Sequence, residues 1–303
     1  MLTLLEFSKL VQSPLASGVI ETFANVNPVL ERLQFINIQG NSYKYNQEKT
    51  LPGIGFRGFN EGYAESVGVL NPQTESLTIC GGDSDYDVAL VKMGVGSNNA
   101  RAIHDGLKSK ALSLAWLKTF FSGDTSVDPK AFDGLERRLT GGQVIDAGTS
   151  GGAALSLDKL DELLDSIRGD NKCLYMNRAL RRQTNKLMRA AGQAIETVAD
   201  GFGRQLLSYG GVPIAEVDED HTGSQILGFT ENDGAGNLDT SSIYAVSFGP
   251  DKLFGIQTEE MSVRDLGELD SKPAFRTRIE WYSGMVPSHP KCAARLRWIN
   301  APA

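Results

Sequence analysis

From Leu33 the sequence runs for about 50 residues without one helical stripe, and this stretch constrains the fold more than any other feature. Apolar residues alternate at Phe35, Ile36, Ile38, Tyr43 and Tyr45, then give way to Gly53-Ile54-Gly55-Phe56-Arg57-Gly58-Phe59 and an extended return through Glu65 to Leu70. Asn71-Pro72-Gln73-Thr74 reads as a turn, and residues 76–93 are strand-like again. Extended chain of this length with a glycine-rich tip cannot bury both faces within one subunit. It is expected to lie on a neighbour. Residues 1–33 pose the same problem: Pro14 and Pro28 break them, and their short apolar pieces need something else to pack against.

The clearest helix follows. Ala100, Ile103, Leu107, Ala111, Leu114, Leu117 and Phe121 recur at intervals of three and four, predicting one apolar stripe with Ser97, Asn98 or Asn99 as N-cap and Gly123 as stop. After Phe132-Asp133-Gly134-Leu135, a Gly/Thr/Ser-rich connection over residues 140–152 is the best internal boundary, read as a flexible linker. Two shorter helices are expected at 157–167, capped by Ser156 and stopped by Gly169, and at 178–191, capped by Asn177 and stopped by Gly192. Strand-like segments recur at 212–217, 243–248, 275–286 and 292–299. Helices and strands mix without β-α alternation, so the fold class is α+β.

The 303 residues carry 30 Lys and Arg against 37 Asp and Glu, a net charge of −7, which argues against nucleic-acid binding through the overall field. Cys80, Cys173 and Cys292 are odd in number and far apart, so neither a disulfide framework nor a CxxC metal pair can be drawn. The N-terminus lacks a secretory pattern, and no apolar run approaches the roughly 20 residues that cross a bilayer. The expectation is a soluble chain made in the cytosol.

No motif builds a reaction centre. Gly148-Thr149-Ser150-Gly151-Gly152 has the look of a serine-protease nucleophile loop, but the only upstream histidine, His104, lies inside the long helix. Asp83-Ser84-Asp85-Tyr86-Asp87 opens like a calcium loop, yet Val88 stands where a sharp turn needs Gly and Gly94 where a bidentate Glu is required; a solvated strand face is the plainer reading. His104, His221 and His289 make no zinc spacing, and Gly201-Phe202-Gly203-Arg204 is too short for a nucleotide turn. Arg178, Arg182, Lys186 and Arg189 fall on one helix face that could touch phosphate, but a solvated or intersubunit face packed by Leu180, Leu187 and Ala191 is favoured. The residues therefore call for no catalytic site, cofactor or metal. Protruding elements that cannot complete their own cores call for partners, and identical copies are the simplest partners.

The order of elements resembles the major capsid proteins of tailed double-stranded DNA bacteriophages, the Hong Kong 97-type fold. The likeness is carried by Gly18-Val19-Ile20-Glu21, Pro28-Val29-Leu30, Glu65-Ser66, Gly81-Gly82-Asp83, the helix ending in Phe121-Ser122-Gly123-Asp124, and Phe132-Asp133-Gly134-Leu135. Further on come Leu174-Tyr175-Met176-Asn177, Leu180-Arg181-Arg182, Tyr209-Gly210-Gly211-Val212-Pro213-Ile214 and Ala294-Arg295-Leu296. The resemblance implies an N-terminal arm (1–33), an extended β E-loop (34–80), a peripheral domain (81–139 and 251–303) with its spine helix at 100–121, and an axial domain (140–250). It implies a late structural protein that self-assembles into hexamers and pentamers of an icosahedral shell, located in the virion after synthesis in the host cytoplasm, and not an enzyme. The partners expected are other copies, a separate scaffold protein favoured by the encoded Met1, a portal, a decoration protein, and double-stranded DNA enclosed rather than specifically bound; no membrane is involved. Some relatives cross-link an E-loop lysine; Lys44 and Lys49 lie in that segment, but no local motif marks either as reactive. Rival readings are an encapsulin-like compartment around cargo enzymes, a hydrolase using Ser150, and a nucleic-acid module using Arg178, Arg182 and Lys186.

Overall fold

A computed structural model describes residues 27–50, 52–89, 97–192, 196–199 and 205–302. Most of the arm, including Gly18-Val19-Ile20-Glu21, lies outside them, as does Gly201-Phe202-Gly203-Arg204.

Two large sheets organise the described chain. In the first, β1 (Phe35–Asn37) pairs in parallel with β12 (Leu253–Gln257), which pairs antiparallel with the 14-residue β14 (Ala274–Pro287). β14 also takes β13 (Ser262–Glu268) and, along its other edge, β4 (Thr78–Asp87). The second sheet has the order β5 (Val144–Asp146), β15 (Ala293–Asn300), β11 (Leu238–Ser247), β6 (Lys172–Met176), β9 (Val212–Glu216), β8 (Gln205–Tyr209), β7 (Glu196–Ala199), with β10 (Glu231–Asn232) also on β11. β8 turns into β9 through Gly210 and Gly211, both at positive φ, as a two-residue hairpin requires. A two-stranded ribbon, β2 (Ser42–Thr50) with β3 (Val69–Ser76), stands apart from both.

The second sheet is a middle layer. Along β6 and β11, Cys173, Tyr175, Tyr244 and Val246 face the core beneath the long helix α1 (Ser97–Ser122), while Leu174, Met176, Ile243 and Ala245 face α3 (Leu157–Ser166) and α4 (Arg178–Ala190). Alternation with both faces apolar is what a doubly covered strand must show. The shorter helices form as expected: Ser156 Oγ accepts from Lys159 N (3.3 Å), Asn177 Oδ1 from Leu180 N (2.8 Å), and Gly169 and Gly192 stop them at positive φ.

Several sequence expectations change. α1 includes Ser97, Asn98 and Asn99 rather than starting after them. Its buried side is Asp105, Ser109, Leu112, Ser113, Trp116 and Phe120, whereas Ile103 and Leu107 are each 61% exposed; the apolar stripe is buried only at its end, at Leu117 and Phe121. Asp105 accepts from Thr277 Oγ1 of β14 (3.2 Å), so the first turns rest on a polar strand surface that apolar periodicity does not reveal. Asn71-Pro72-Gln73-Thr74 is no turn but the middle of β3, with Pro72 opposite Asn46. Both ribbon strands are edges, where a missing N–H is tolerated. Residues 140–152 are not a free linker: Ala147 N and Ala153 N donate to Arg297 O and Trp298 O of β15 (both 3.0 Å). β15 is hydrogen-bonded between β5 and β11, so the closing strand joins the elements of 140–250, not those of β12 to β14 with which the sequence reading grouped it. The described end of the arm packs within its own subunit: Val29, Leu30 and Leu33 are fully buried, and Asn27 Nδ2 donates to Ser113 O of α1 (3.3 Å).

Candidate assembly surfaces

The β2–β3 ribbon ends in a tip of exposed apolar side chains. Ile54, Phe56 and Phe59 are at least 96% exposed, and Tyr63 and Val67 are largely so. The tip is nonetheless shaped: Ser66 Oγ donates to Gly53 O (2.8 Å), Glu61 Oε2 accepts from Gly58 N (2.8 Å), and the Arg57 guanidinium lies 5.3 Å from the Tyr63 ring centre. Burying one such side chain against another surface is worth about 2 kcal/mol. Large apolar side chains left this exposed on one loop are what an interaction surface presents.

The ribbon is held at its root. Arg138, in the one-turn helix α2 (Leu135–Arg138), grips Glu75 of β3 through both guanidinium nitrogens, one at 2.7 Å, with both side chains largely buried. Tyr43 meets Phe254 of β12 edge-on at 5.9 Å, and Gln47 Nε2 donates to Pro287 O (3.4 Å). Burial, reinforced by Glu75, pushes the Tyr45 phenol up to about 12.

α2 is itself tied to the end of α1. Gly134 N donates to Gly123 O (2.8 Å), and a Cβ on Gly134 would meet Gly123 N, Phe121 O and Thr119 O at 2.6–2.7 Å. Asp133 Oδ1 accepts from Thr125 N and Oγ1 (both 2.9 Å), and Asp124 pairs with Arg137. The Gly-Asp and Phe-Asp-Gly-Leu motifs thus join the long helix to the ribbon root.

Asp83 and Asp85 do not form a solvated acidic face. Each lies opposite an arginine of β14: Asp83 accepts from Arg278 (2.7 and 2.9 Å), and Asp85 from Arg276 (2.6 and 2.7 Å), with Lys272 also on Asp85. These hydrogen bonds hold both carboxyls below their ordinary range.

A cleft of about 840 Å³ lies between α1, α2 and β15, lined by Lys118, Glu136, Glu231, Arg295, Arg297 and Trp298 among others. Its charges are mutually engaged. Arg295 donates to Ser242 Oγ (2.9 Å), Glu231 (2.7 Å) and Glu136 (3.1 Å); Lys118 pairs with Asp220 (2.7 Å) and Arg297 with Asp146 (2.6 Å). Burial pushes the Glu231 carboxyl up despite Arg295. The Asp220 and Arg295 networks had no signal in sequence spacing, since their members lie up to 159 residues apart.

The other candidates are scattered. Ser150 is exposed. His104 packs against Tyr86 (5.4 Å), His289 Nδ1 accepts from Lys291 N (2.9 Å), and His221 is exposed in another loop. The three thiols are free, and burial pushes Cys80 and Cys173 up to about 11 and Cys292 to about 12. Lys44 is exposed on β2; the Lys49 side chain lies outside the described residues. On α4, Arg178 pairs with Asp218 (2.7 Å) and Arg181 with Glu216 (3.0 Å), while Leu180, Thr184 and Met188 supply the buried side and Ala191 is exposed. No group of three or more potential metal-ligating side chains occurs among the described residues, and none of their helices is long and apolar enough to cross a membrane.

Comparison with known proteins places this architecture. The family model of major capsid protein GP7 matches residues 14–158. No curated protein sequence matches the chain. Among solved structures, the chain is similar to the holo-SrpI encapsulin complex from Synechococcus elongatus, with 16% identity, TM-score 0.67, and 91% of this chain and 89% of that one covered. It is similar to the capsid of the native GTA particle (15%, TM-score 0.61, 92% and 90%) and to the capsid of cyanophage A-1(L) (13%, TM-score 0.61, 90% and 92%). The fold extends over nine-tenths of the chain, and the family match, just under half of it, takes in the ribbon, the long helix and the motif that joins them: the chain has the Hong Kong 97-type fold of these capsid and encapsulin proteins.

Proposed function

We propose that the protein is the major capsid protein of a tailed bacteriophage, whose copies close as hexamers and pentamers into an icosahedral head around double-stranded DNA. The observation that carries this is the β2–β3 ribbon: a shaped tip exposing Ile54, Phe56 and Phe59, fixed at its root by the Arg138–Glu75 pair. A second copy is the surface that such a tip lacks. In this reading residues 1–33 are the arm, 34–80 the E-loop, 81–139 with β12 to β14 the peripheral domain, and 140–250 with β15 the axial domain. A separate scaffold, a portal and a decoration protein complete the head, and synthesis is in the host cytoplasm.

The acidic balance fits a wall that encloses DNA without holding it tightly. The likeness to the SrpI encapsulin supports a second reading, a protein compartment around cargo enzymes. Particles purified from cells expressing the chain with its neighbouring genes separate the two. Nuclease-protected double-stranded DNA inside the shells supports the phage head; shells filled with a single cargo protein and no DNA overturn it.

A further inference from the structure

On the outer face of the eight-stranded sheet, α3 and α4 carry opposite charges on their free sides. Asp158, Asp161 and Asp165 of α3 are all exposed, at spacings of three and four residues, and Arg182, Lys186 and Arg189 of α4 are all exposed, at spacings of four and three. At 1.5 Å per residue each row is about 10 Å long, so the two rows match in length.

Within the subunit the rows do not neutralise one another. Asp161 accepts from Tyr209 Oη (2.7 Å), and Arg178 and Arg181 are engaged by Asp218 and Glu216. Asp158, Asp165, Arg182, Lys186 and Arg189 make no ion pair among the described residues. Arg182 and Lys186 also border a groove of about 410 Å³ with Ala154, Leu187 and Pro302, in which the side chain of Gln183 keeps Oε1 buried without a hydrogen-bond partner.

We infer that the basic row of α4 in one copy docks on the acidic row of α3 in the next. The two surfaces differ, so the contact is head-to-tail and closes into a ring when the rotation between copies permits. A polyanion such as DNA is a poorer occupant, because the α3 carboxylates lie on the same sheet face. Exposed ion pairs are individually weak and screened by salt, so the rows set register and ring selectivity while apolar contacts supply the bulk of the affinity.

The inference rests on the shell reading and deepens it. Its test uses full-length protein, negative-stain imaging and mass photometry, with thermal midpoints confirming that each variant folds. Arg182→Glu with Lys186→Glu, and separately Asp158→Lys with Asp165→Lys, are each expected to lower ring and shell yield at least tenfold. The fourfold variant carrying both reversals restores it. A 1:1 mixture of the two reversed proteins satisfies an alternating ring, so it gives hexamers and no pentamers. Reversals that leave assembly unchanged, or a fourfold variant that does not recover, overturn the inference. So does an α4 variant that assembles normally but loses binding to a duplex DNA oligonucleotide. Wild-type protein that never assembles overturns the shell reading itself, a different failure from wild-type shells with indifferent variants.

Discussion

Gly134 shows how a residue can be conspicuous in the sequence while its role is hidden. Its Cβ would collide with three backbone atoms of the α1 terminus, so the crossing exists only because no side chain is there. Gly134→Ala is expected to cost about 1–3 kcal/mol, measured by chemical denaturation of the unassembled protein. Asp83 and Asp85 make the same point for charge. Their spacing was legible, but their arginines, nearly 200 residues away, were not. Because both folded-state values lie below the ordinary 3.8, their contribution to stability is complete above that value and is lost as pH falls through the folded values. Wild-type melting temperature should therefore drop more steeply below about pH 4 than that of the Asp83→Asn, Asp85→Asn variant, which starts lower at neutral pH and changes less. Equal slopes for the two proteins would show that the Asp83–Arg278 and Asp85–Arg276 pairs do not contribute to stability.

At the level of elements, locally encoded features were readable and shared ones were not. The caps Ser156 and Asn177 and the stops Gly169 and Gly192 marked α3 and α4 because a cap and its helix lie within one turn of sequence. The orientation of α1 escapes apolar periodicity because its first buried positions, Asp105 and Ser109, are polar, Asp105 being matched to Thr277 of β14, while the apolar Ile103 and Leu107 are exposed. Pro72 read as a turn because edge-strand tolerance is a property of the sheet, not of the tetrapeptide. Phe56→Ser with Phe59→Ser should leave monomer stability within about 0.5 kcal/mol and abolish stable shells, read by denaturation and by sedimentation; a destabilised monomer would mean that the tip packs on its own subunit. Arg138→Ala should cost about 1.5–3 kcal/mol and speed proteolysis of the ribbon, because Glu75 loses a bidentate partner in a largely buried setting. Unchanged cleavage would show that the ribbon is held elsewhere.

For the whole molecule, the α+β class and the order of β excursion and long helix could be read before any coordinates, and the placement of β15 could not. A closing strand can join either sheet by periodicity alone; only its pairing with β5 and β11 settles it, and the β5 pairing spans about half the chain. The middle sheet then divides two cores, one shared with α1 and one with α3 and α4, and leaves the ribbon tip, Ile103 and Leu107 of α1 and the charged rows of α3 and α4 exposed; in the proposed shell these surfaces meet other copies. Electron microscopy of the purified full-length protein, alone and coexpressed with its neighbouring genes, tests that claim most directly. Closed, uniform shells built from hexamers and pentamers are expected; protein that stays monomeric under every condition, at concentrations well above those of other shell proteins' assembly, would contradict it.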